Sequence, residues 1–462
     1  MYKGKRIGVI SLGCSKNRVN SEQMMFLLSR AGYIITGDVY DVDIALVNTC
    51  GFIESAKIEA CDTVLELIAG KNECRIGKII VAGCFPQRYK ESVSEKLPGV
   101  DAFVGTGSFD DIVDVVEKLI DEQSSGQYPC HYFGDINAPV SEVSRILSTS
   151  PFWAYLKIAE GCDNKCAYCC IPEIRGRFRS RVFENIVCEA KKLADAGVAE
   201  IILTAQDLTM YGVDIYGKHR LSELLVELNK IEKLRWIRLH YLYPDEIDDE
   251  LIDVIAKSDK ILKYLDIPIQ HINTSILKRM HRRGSGADIR ELFVRLRERI
   301  EGVVLRTSLI TGLPGEGDDE FNELYCFLRE MKIERVGVFA YSPEEGTEAA
   351  LMDRPSKEVA EFRAEKIFEL QADIMREWNE SRIGSCVEVL VEDLSAELGN
   401  DNYLLARSYA ESPEVDGYIF VKESESLRKR KRNNKRTDEP STCLVSCMIT
   451  GIVDGELVGE II

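Results

Sequence analysis

Gly161-Cys162-Asp163-Asn164-Lys165-Cys166-Ala167-Tyr168-Cys169 sets three cysteines at C-x3-C-x2-C spacing, directly after an apolar run, Tyr155–Ile158, that reads as a β-strand. Three thiolates on one tight loop can hold three irons of a 4Fe-4S cluster and leave the fourth iron without a protein ligand. An open iron is where a small molecule can chelate and receive an electron. Zinc is the rival occupant, but it normally takes four ligands, and no C-x2-C pair lies nearby to complete a site. Tyr168 is placed to pack over a cluster or to offer its backbone to an adenine. Cys170 comes next and reads as a buried thiol pointing away from the loop.

The loop sits in a longer pattern. Tyr155–Ile158, Glu200–Leu203, Trp236–His240, Tyr264–Pro268, Val303–Ile310 and Arg335–Ala340 read as six strands, and helical stretches such as Phe183–Ala196, Asp249–Lys257 and Asp318–Lys332 separate them. Six βα units give a partial barrel rather than a closed eight-stranded one, with its chemistry on the loops after the strands. The expected fold class is therefore α/β.

Upstream, Ile7–Ser11, Ile44–Val47, Lys78–Val81 and Asp101–Val104 alternate with helical patterns, the last over about Asp110–Ile120, and imply a parallel sheet with helices on its faces. Cys14, Cys50 and Cys84 each fall just past the end of one of these strands, the edge where open α/β sheets place ligands. Each has a glycine beside it, consistent with close backbone approach to a bulky group. Position alone leaves two readings open, a second cluster or three buried thiols. Cys61 and Cys74 lack this context. The stretch of about 121–150 reads as an irregular linker. Beyond Ser381, Cys386–Val391, Tyr403–Ala406, Tyr418–Val421 and Cys443–Thr450 read as a small β-barrel. Cys443 and Cys447 are read as its core residues.

Of 462 residues, 77 are acidic and 59 basic, for a net charge of −18. That charge opposes a surface that binds nucleic acid everywhere and suits a basic protein partner, though it equally serves solubility. Against this, Lys422–Pro440 holds eight basic and four acidic residues. No stretch approaches the ~18 uncharged apolar residues of a membrane helix. The opening residues run straight into a strand with no signal-peptide pattern, so the expected location is cytoplasmic. Fifteen cysteines, an odd number, in a reducing compartment point to metal ligation rather than a disulfide framework.

The C-x3-C-x-aromatic-C loop at the end of the first strand of a six-unit barrel resembles the radical S-adenosylmethionine (SAM) superfamily. Two cysteine triads followed by a small barrel resemble its methylthiotransferases, over nearly the whole chain. The nearest branch is the RimO type, which modifies an aspartate of ribosomal small-subunit protein twelve. The resembling strings are Ser11-Leu12-Gly13-Cys14-Ser15-Lys16-Asn17, Tyr155–Cys162, Ile171-Pro172-Glu173-Ile174-Arg175-Gly176, Ala205-Gln206-Asp207, Thr311–Glu316, Tyr341–Thr347, and Ala406-Arg407 with Glu414–Gly417. Asn20 and Leu208 depart from the pattern, where aspartate and threonine are expected. Ser441-Thr442-Cys443-Leu444 also departs, standing where a Pro-Gly-Asp-like turn is expected.

The resemblance implies an N-terminal domain over 3–121 with an auxiliary 4Fe-4S cluster on Cys14, Cys50 and Cys84, and a linker over 122–147. It implies a radical SAM core over 148–378 with its 4Fe-4S cluster on Cys162, Cys166 and Cys169, and a TRAM-like β-barrel over 379–462. One SAM would methylate a sulfur held at the auxiliary cluster. A second, cleaved at the other cluster, would yield a 5′-deoxyadenosyl radical that abstracts the β-hydrogen of the aspartate. Tyr168, Gln206, Asp207, His240, Arg306 and Gly312 are the candidate SAM contacts, with His240 equally readable as a rim histidine and Arg306 as one half of an internal ion pair. Arg175, Arg177, Arg179 and Arg181 are read as a solvated face more than as a carboxylate clamp. Expected partners are protein twelve and unidentified sulfur and electron donors. Arg428–Arg436 could touch ribosomal RNA or form a solvated insertion. The alternatives are a tRNA adenosine methylthiotransferase, which would carry Gln-Met-Asn-like residues after Cys14, and a noncatalytic iron–sulfur carrier.

Overall fold

The computed structural model describes residues 4–121, 129–398, 401–422 and 444–462. The basic stretch Arg428–Arg436 and Cys443 lie outside the described residues. The first sheet contains β1 (Arg6–Ser11), β2 (Ile34–Thr36), β3 (Val42–Thr49), β4 (Ile76–Gly83), β5 (Ala102–Val104) and β6 (Cys130–Tyr132), in the order β2-β1-β3-β4-β5-β6. All its neighbours are parallel. Its strands read as near-continuous apolar runs because helices cover both faces. Ile44, Leu46, Ile80 and Ala82 face one core, while Ala45, Val47, Ile79 and Val81 face the other.

The second sheet is also wholly parallel. It contains β7 (Trp153–Lys157), β10 (Glu200–Thr204), β11 (Trp236–Leu239), β12 (Ile261–Asp266), β13 (Val304–Thr311) and β14 (Arg335–Ala340), paired in chain order. A two-stranded ribbon, β8 (Ala159–Glu160) with β9 (Arg179–Ser180), branches from its first loop. Leu156, Ile201, Leu203, Ile237 and Leu305 pack outward against the helices. Trp153, Tyr155, Ile202, Trp236 and Tyr264 face the concave side, where they meet Val19 of the first domain and Leu390 and Ala410 of the third.

The third domain is a closed barrel of β15 (Cys386–Leu398), β16 (Asp401–Arg407), β17 (Ile419–Lys422), β18 (Leu444–Val453) and β19 (Glu456–Ile461). Its segment 407–416 enters the mouth of the partial barrel. Arg407 pairs with Glu200 at 2.9 Å, Glu200 with Arg238 at 2.7 Å, and Tyr264 Oη donates to Asp416 at 2.7 Å. Arg407, Glu200 and Arg238 have no exposed side-chain surface, so their ionic geometry fixes how the third domain sits. Among the described residues, no helix is long and apolar enough to cross a membrane.

The α/β fold with a terminal all-β barrel agrees with the sequence expectation. Two details differ. The linker is not wholly irregular, since Cys130–Tyr132 adds an edge strand to the first sheet. The terminal barrel has a fifth strand, Glu456–Ile461.

Candidate active site

The C-x3-C-x2-C loop leaves the barrel at Gly161, whose φ is +79°. A Cβ there would clash with the carbonyl oxygen of Arg177, just ahead of the ribbon's return strand, so this position requires glycine. The Cys162 amide donates to the Gly176 carbonyl (3.2 Å), and the Ala167 amide donates to the Met280 carbonyl (3.1 Å). Cys162, Cys166 and Cys169 remain partly accessible, whereas Cys170 turns inward against Cys84, Ile174 and Phe52. Burial, followed by the charges of Asp207 and Cys166, pushes the Cys162 thiol up to about 11. Burial and the neighbouring Cys166, Cys170 and Cys162 also raise Cys169.

The second triad assembles from three loops at the C-terminal edge of the first sheet. Cys14 caps the helix Ser15–Ala31, Cys50 follows β3, and Cys84 opens the helix Cys84–Tyr89. A Cβ on Gly13 would lie 2.8 Å from that of Cys50, so two of the loops are pressed together. Asn17 ties them further by donating to the carbonyls of Leu12 (3.0 Å) and Thr49 (3.1 Å). Burial is the largest influence on Cys14 and raises its pKa. The charges of Lys16 and Arg175, with the backbone amides of Asn17 and Lys16, outweigh it and hold the thiol below its ordinary value. Burial, with Cys84 and Cys14, pushes Cys50 up to about 12. Burial also raises Cys84, against the pull of Arg175.

Both triads open on one interface. Cys84 from the first domain packs with Cys170 from the barrel loop. Arg175, on the helix Ile171–Arg175, crosses between them: Nε and Nη2 donate to Cys84 Sγ (3.4 and 3.3 Å), Nη2 also to Asn17 Oδ1 (2.7 Å), and Nη1 to Asn20 Oδ1 and Glu160 Oε1 (each 3.0 Å). Glu160 also accepts from Lys157 (2.8 Å) and Gln206 (2.8 Å). Arg175 and Lys157 hold its carboxyl far below the usual range despite burial, which is the largest single influence and raises it. Further out, Glu344 receives Lys57 (2.9 Å) and Arg88 (2.8 Å) from the first domain and clamps the same interface.

The remaining predicted residues take these places. Gln206 Nε2 is engaged by Glu160, while its Oε1 is buried without a partner among the described residues. Asp207 accepts from Asn164 (3.0 Å) and so supports the cysteine loop from behind. Tyr168 Oη accepts from Arg282 (3.1 Å). His240 Nε2 meets Ser412 Oγ at 2.8 Å, and burial, then Arg238 and Arg306, hold the imidazole far below its ordinary pKa. Arg306 pairs with Asp266 at 2.6 Å. The Gly312 amide donates to Glu316 (2.8 Å). Cys447 is a buried strand residue of the third domain.

The four arginines are not one solvated face. Arg175 and Arg181 are buried, Arg179 is half-buried, and Arg177 alone is exposed. Sequence reasoning missed Asn17, Glu160 and Lys157, all in or beside the quoted strings. The available signal was their position next to the triad cysteines.

The donor set fits iron–sulfur clusters. Crowded thiols that raise one another resist standing together as free anions, and a cationic cluster relieves that repulsion. Among the described residues, no three His, Cys, Asp or Glu side chains gather closely enough for a single metal ion. The thiols of each triad nevertheless raise one another electrostatically, so they stand as neighbours in the fold. The orphaned Gln206 Oε1 offers a ligand an acceptor at the end of β10.

Residues 156–328 match the radical SAM superfamily model, 6–105 the uncharacterized protein family UPF0004, and 383–462 the TRAM domain. The ribosomal protein uS12 methylthiotransferase RimO of Acetivibrio thermocellus is 44% identical over 99% of this chain and 98% of its own length. The protein of the same name from Caldicellulosiruptor saccharolyticus is 45% identical over 90% and 93%. Among solved structures, the radical SAM methyltransferase TsrM from Kitasatospora setae superposes with a TM-score of 0.56 at 12% identity, covering 75% of this chain and 74% of that one. At that identity the likeness is one of fold. The near-full-length identity to the two relatives, with three matched models in the order of the three domains, shows that the chain belongs to the RimO family of radical SAM methylthiotransferases.

Proposed function

We propose that this protein replaces a β-hydrogen of an aspartate in the ribosomal small-subunit protein twelve with a methylthio group, and that it does so in the cytoplasm. The carrying observation is the shared interface: the two cysteine triads belong to different domains, yet Cys84 of one packs against Cys170, the residue that follows the other, and accepts from Arg175 of the barrel. In this reading Cys162, Cys166 and Cys169 hold one 4Fe-4S cluster, and Cys14, Cys50 and Cys84 hold an auxiliary one. When bound, the clusters and two SAM molecules supply the reductive bond cleavage, the hydrogen abstraction and the methylated sulfur.

The chain's own residues do the positioning. Arg175 donates to the Cys84 sulfur and fixes it against Asn17. Asn164 and Asp207 hold the other cysteine loop to the barrel rim. Ser15 Oγ and Thr204 Oγ1, 2.9 Å apart, pin the first domain onto the end of β10. Segment 407–416 closes the far mouth of the barrel and excludes water from its floor. The candidate SAM contacts stay with this proposal, Gln206 foremost because its acceptor is vacant among the described residues. The TRAM match and the basic stretch Arg428–Arg436 support a ribosomal RNA contact, and the net charge of −18 favours encounter with a basic ribosomal protein.

The test is mass spectrometry of protein twelve after incubation with reconstituted, reduced protein and SAM. The expected product carries a net addition of CH2S on one aspartate, with 5′-deoxyadenosine formed. Unmodified protein twelve alongside a methylthiolated tRNA adenosine would overturn the substrate assignment, and absence of 5′-deoxyadenosine would favour a noncatalytic carrier.

A further inference from the structure

Among the described residues ten lysine and arginine side chains are buried. Eight stand within ion-pair distance of a carboxylate, from Lys157 on Glu160 to Arg407 on Glu200. The two that do not are Lys16 and Arg282, and each adjoins a cysteine triad. A buried cation without an anionic partner is costly, because burial removes the water that would otherwise solvate it.

Arg282 is already engaged. Its Nη1 donates to Tyr168 Oη (3.1 Å), its Nη2 to the Pro268 carbonyl (2.6 Å), and the Tyr243 ring lies 4.6 Å from its centre. Lys16 is not. Its ammonium carries three donors; it stands over the Tyr241 ring, whose centroid is 3.6 Å away, and acts on the neighbouring Cys14 thiol, but no carboxylate among the described residues pairs with it. Lys16 is only 7% exposed and sits in the first turn of the helix Ser15–Ala31, two residues from Cys14.

Both members of the pair are held there by their surroundings. Ser15 is pinned on Thr204. Tyr241 has a φ of +65°, a conformation that a bulky residue adopts only where neighbours impose it, and one that recurs at binding sites. Its amide donates to Asp266 (3.2 Å) and its carbonyl accepts from Leu208 (3.0 Å).

We infer that Lys16 anchors a carboxylate of the substrate. The acidic side chain to be modified enters between Cys14 and the barrel rim and takes the Lys16 ammonium as its partner, with Tyr241 beneath. A carboxylate could also come from the methionine end of SAM. The substrate is the better fit because Lys16 belongs to the auxiliary triad's loop, whereas Arg282 stands at the other triad. This inference rests on the proposed function and adds the residue that makes the site choose an acid over its neutral isostere. An amide in the same place would leave the buried ammonium unpaired.

The experiment titrates reconstituted wild type, Lys16→Met and Lys16→Arg with two labelled peptides from the target loop of protein twelve, one carrying aspartate and one asparagine at the modified position. Iron content and SAM affinity are measured on the same samples. Wild type is expected to prefer the aspartate peptide by about thirtyfold, the low end for truncating one member of a buried charge pair. Lys16→Met is expected to lose that preference with iron content and SAM affinity unchanged, and Lys16→Arg to keep part of it.

An aspartate preference that survives in Lys16→Met, or none in wild type, overturns the inference. Lost SAM affinity in Lys16→Met overturns it in favour of the SAM carboxylate, and lost iron does so in favour of charge balance at the auxiliary thiols. A wild type that binds neither peptide overturns the functional reading, and the inference with it.

Discussion

The guanidinium of Arg175 divides its donors among Cys84, Asn17, Asn20 and Glu160, and the side chain is 2% exposed. No other pair of residues joins a barrel cation to an auxiliary-triad sulfur so directly among the described contacts. Partners one step beyond metal ligands commonly set affinity by about 10–100-fold. Arg175→Leu is accordingly expected to weaken iron retention at Cys14, Cys50 and Cys84 by that factor in a chelator competition, leaving the other triad unchanged. Equal retention would show that Arg175 only fastens the domains together. Gly161 gives a second residue-scale prediction. Alanine there is strained by the φ of +79° and clashes with the Arg177 carbonyl. Gly161→Ala should lose iron at Cys162, Cys166 and Cys169, read by metal analysis, and wild-type iron content would contradict the reading. The role of Arg175 was hidden in the sequence because an arginine every second residue looks like a polar ribbon edge. Only the tertiary approach of Cys84 gives it a buried partner.

At the scale of elements, the strands with strong apolar runs were legible and the short or edge strands were not. Val42–Thr49 and Ile76–Gly83 are buried on both faces and announce themselves by composition. Cys130–Tyr132 has three residues and one neighbour, too few for periodicity to register. Glu456–Ile461 did leave a signal, Asp454-Gly455 with φ of +50° and +87°, the residue pair that closes a tight hairpin. Only the two ends of the 407–416 segment, Arg407 and Glu414–Asp416, carry the resemblance, and its insertion into the barrel depends on pairs such as Arg407–Glu200 that lie far apart in the chain. Removing one member of a buried pair costs about 3–5 kcal/mol. Arg407→Met should therefore lower stability by that amount in denaturant unfolding, and a change below about 1 kcal/mol would contradict a structural role for the pair. Glu411 carries a pH dependence. Burial raises its pKa, but Arg382 and Arg335 outweigh it and bring the carboxyl down to about 2. A depressed carboxylate contributes stability above its unfolded value and loses it as pH falls toward the folded value. Unfolding midpoints should fall between about pH 4.5 and about 2. Glu411→Gln should flatten that part of the profile, and an unchanged profile would remove Glu411 as its source.

Across the whole molecule, a six-strand sheet and a six-unit partial barrel turn their C-terminal edges toward each other, and a third domain stops the far end. The sequence placed six cysteines at strand ends but could not show that two of its domains meet beside both triads. That depends on long-range contacts such as Arg88 on Glu344 and Ser15 on Thr204. The central claim is that both triads hold clusters at this interface. Iron and sulfide content of anaerobically reconstituted protein tests it most directly, comparing wild type with the Cys14→Ala/Cys50→Ala/Cys84→Ala variant. About eight irons falling to about four is the predicted result. About four in both proteins would leave a single cluster and contradict sulfur transfer from the auxiliary triad.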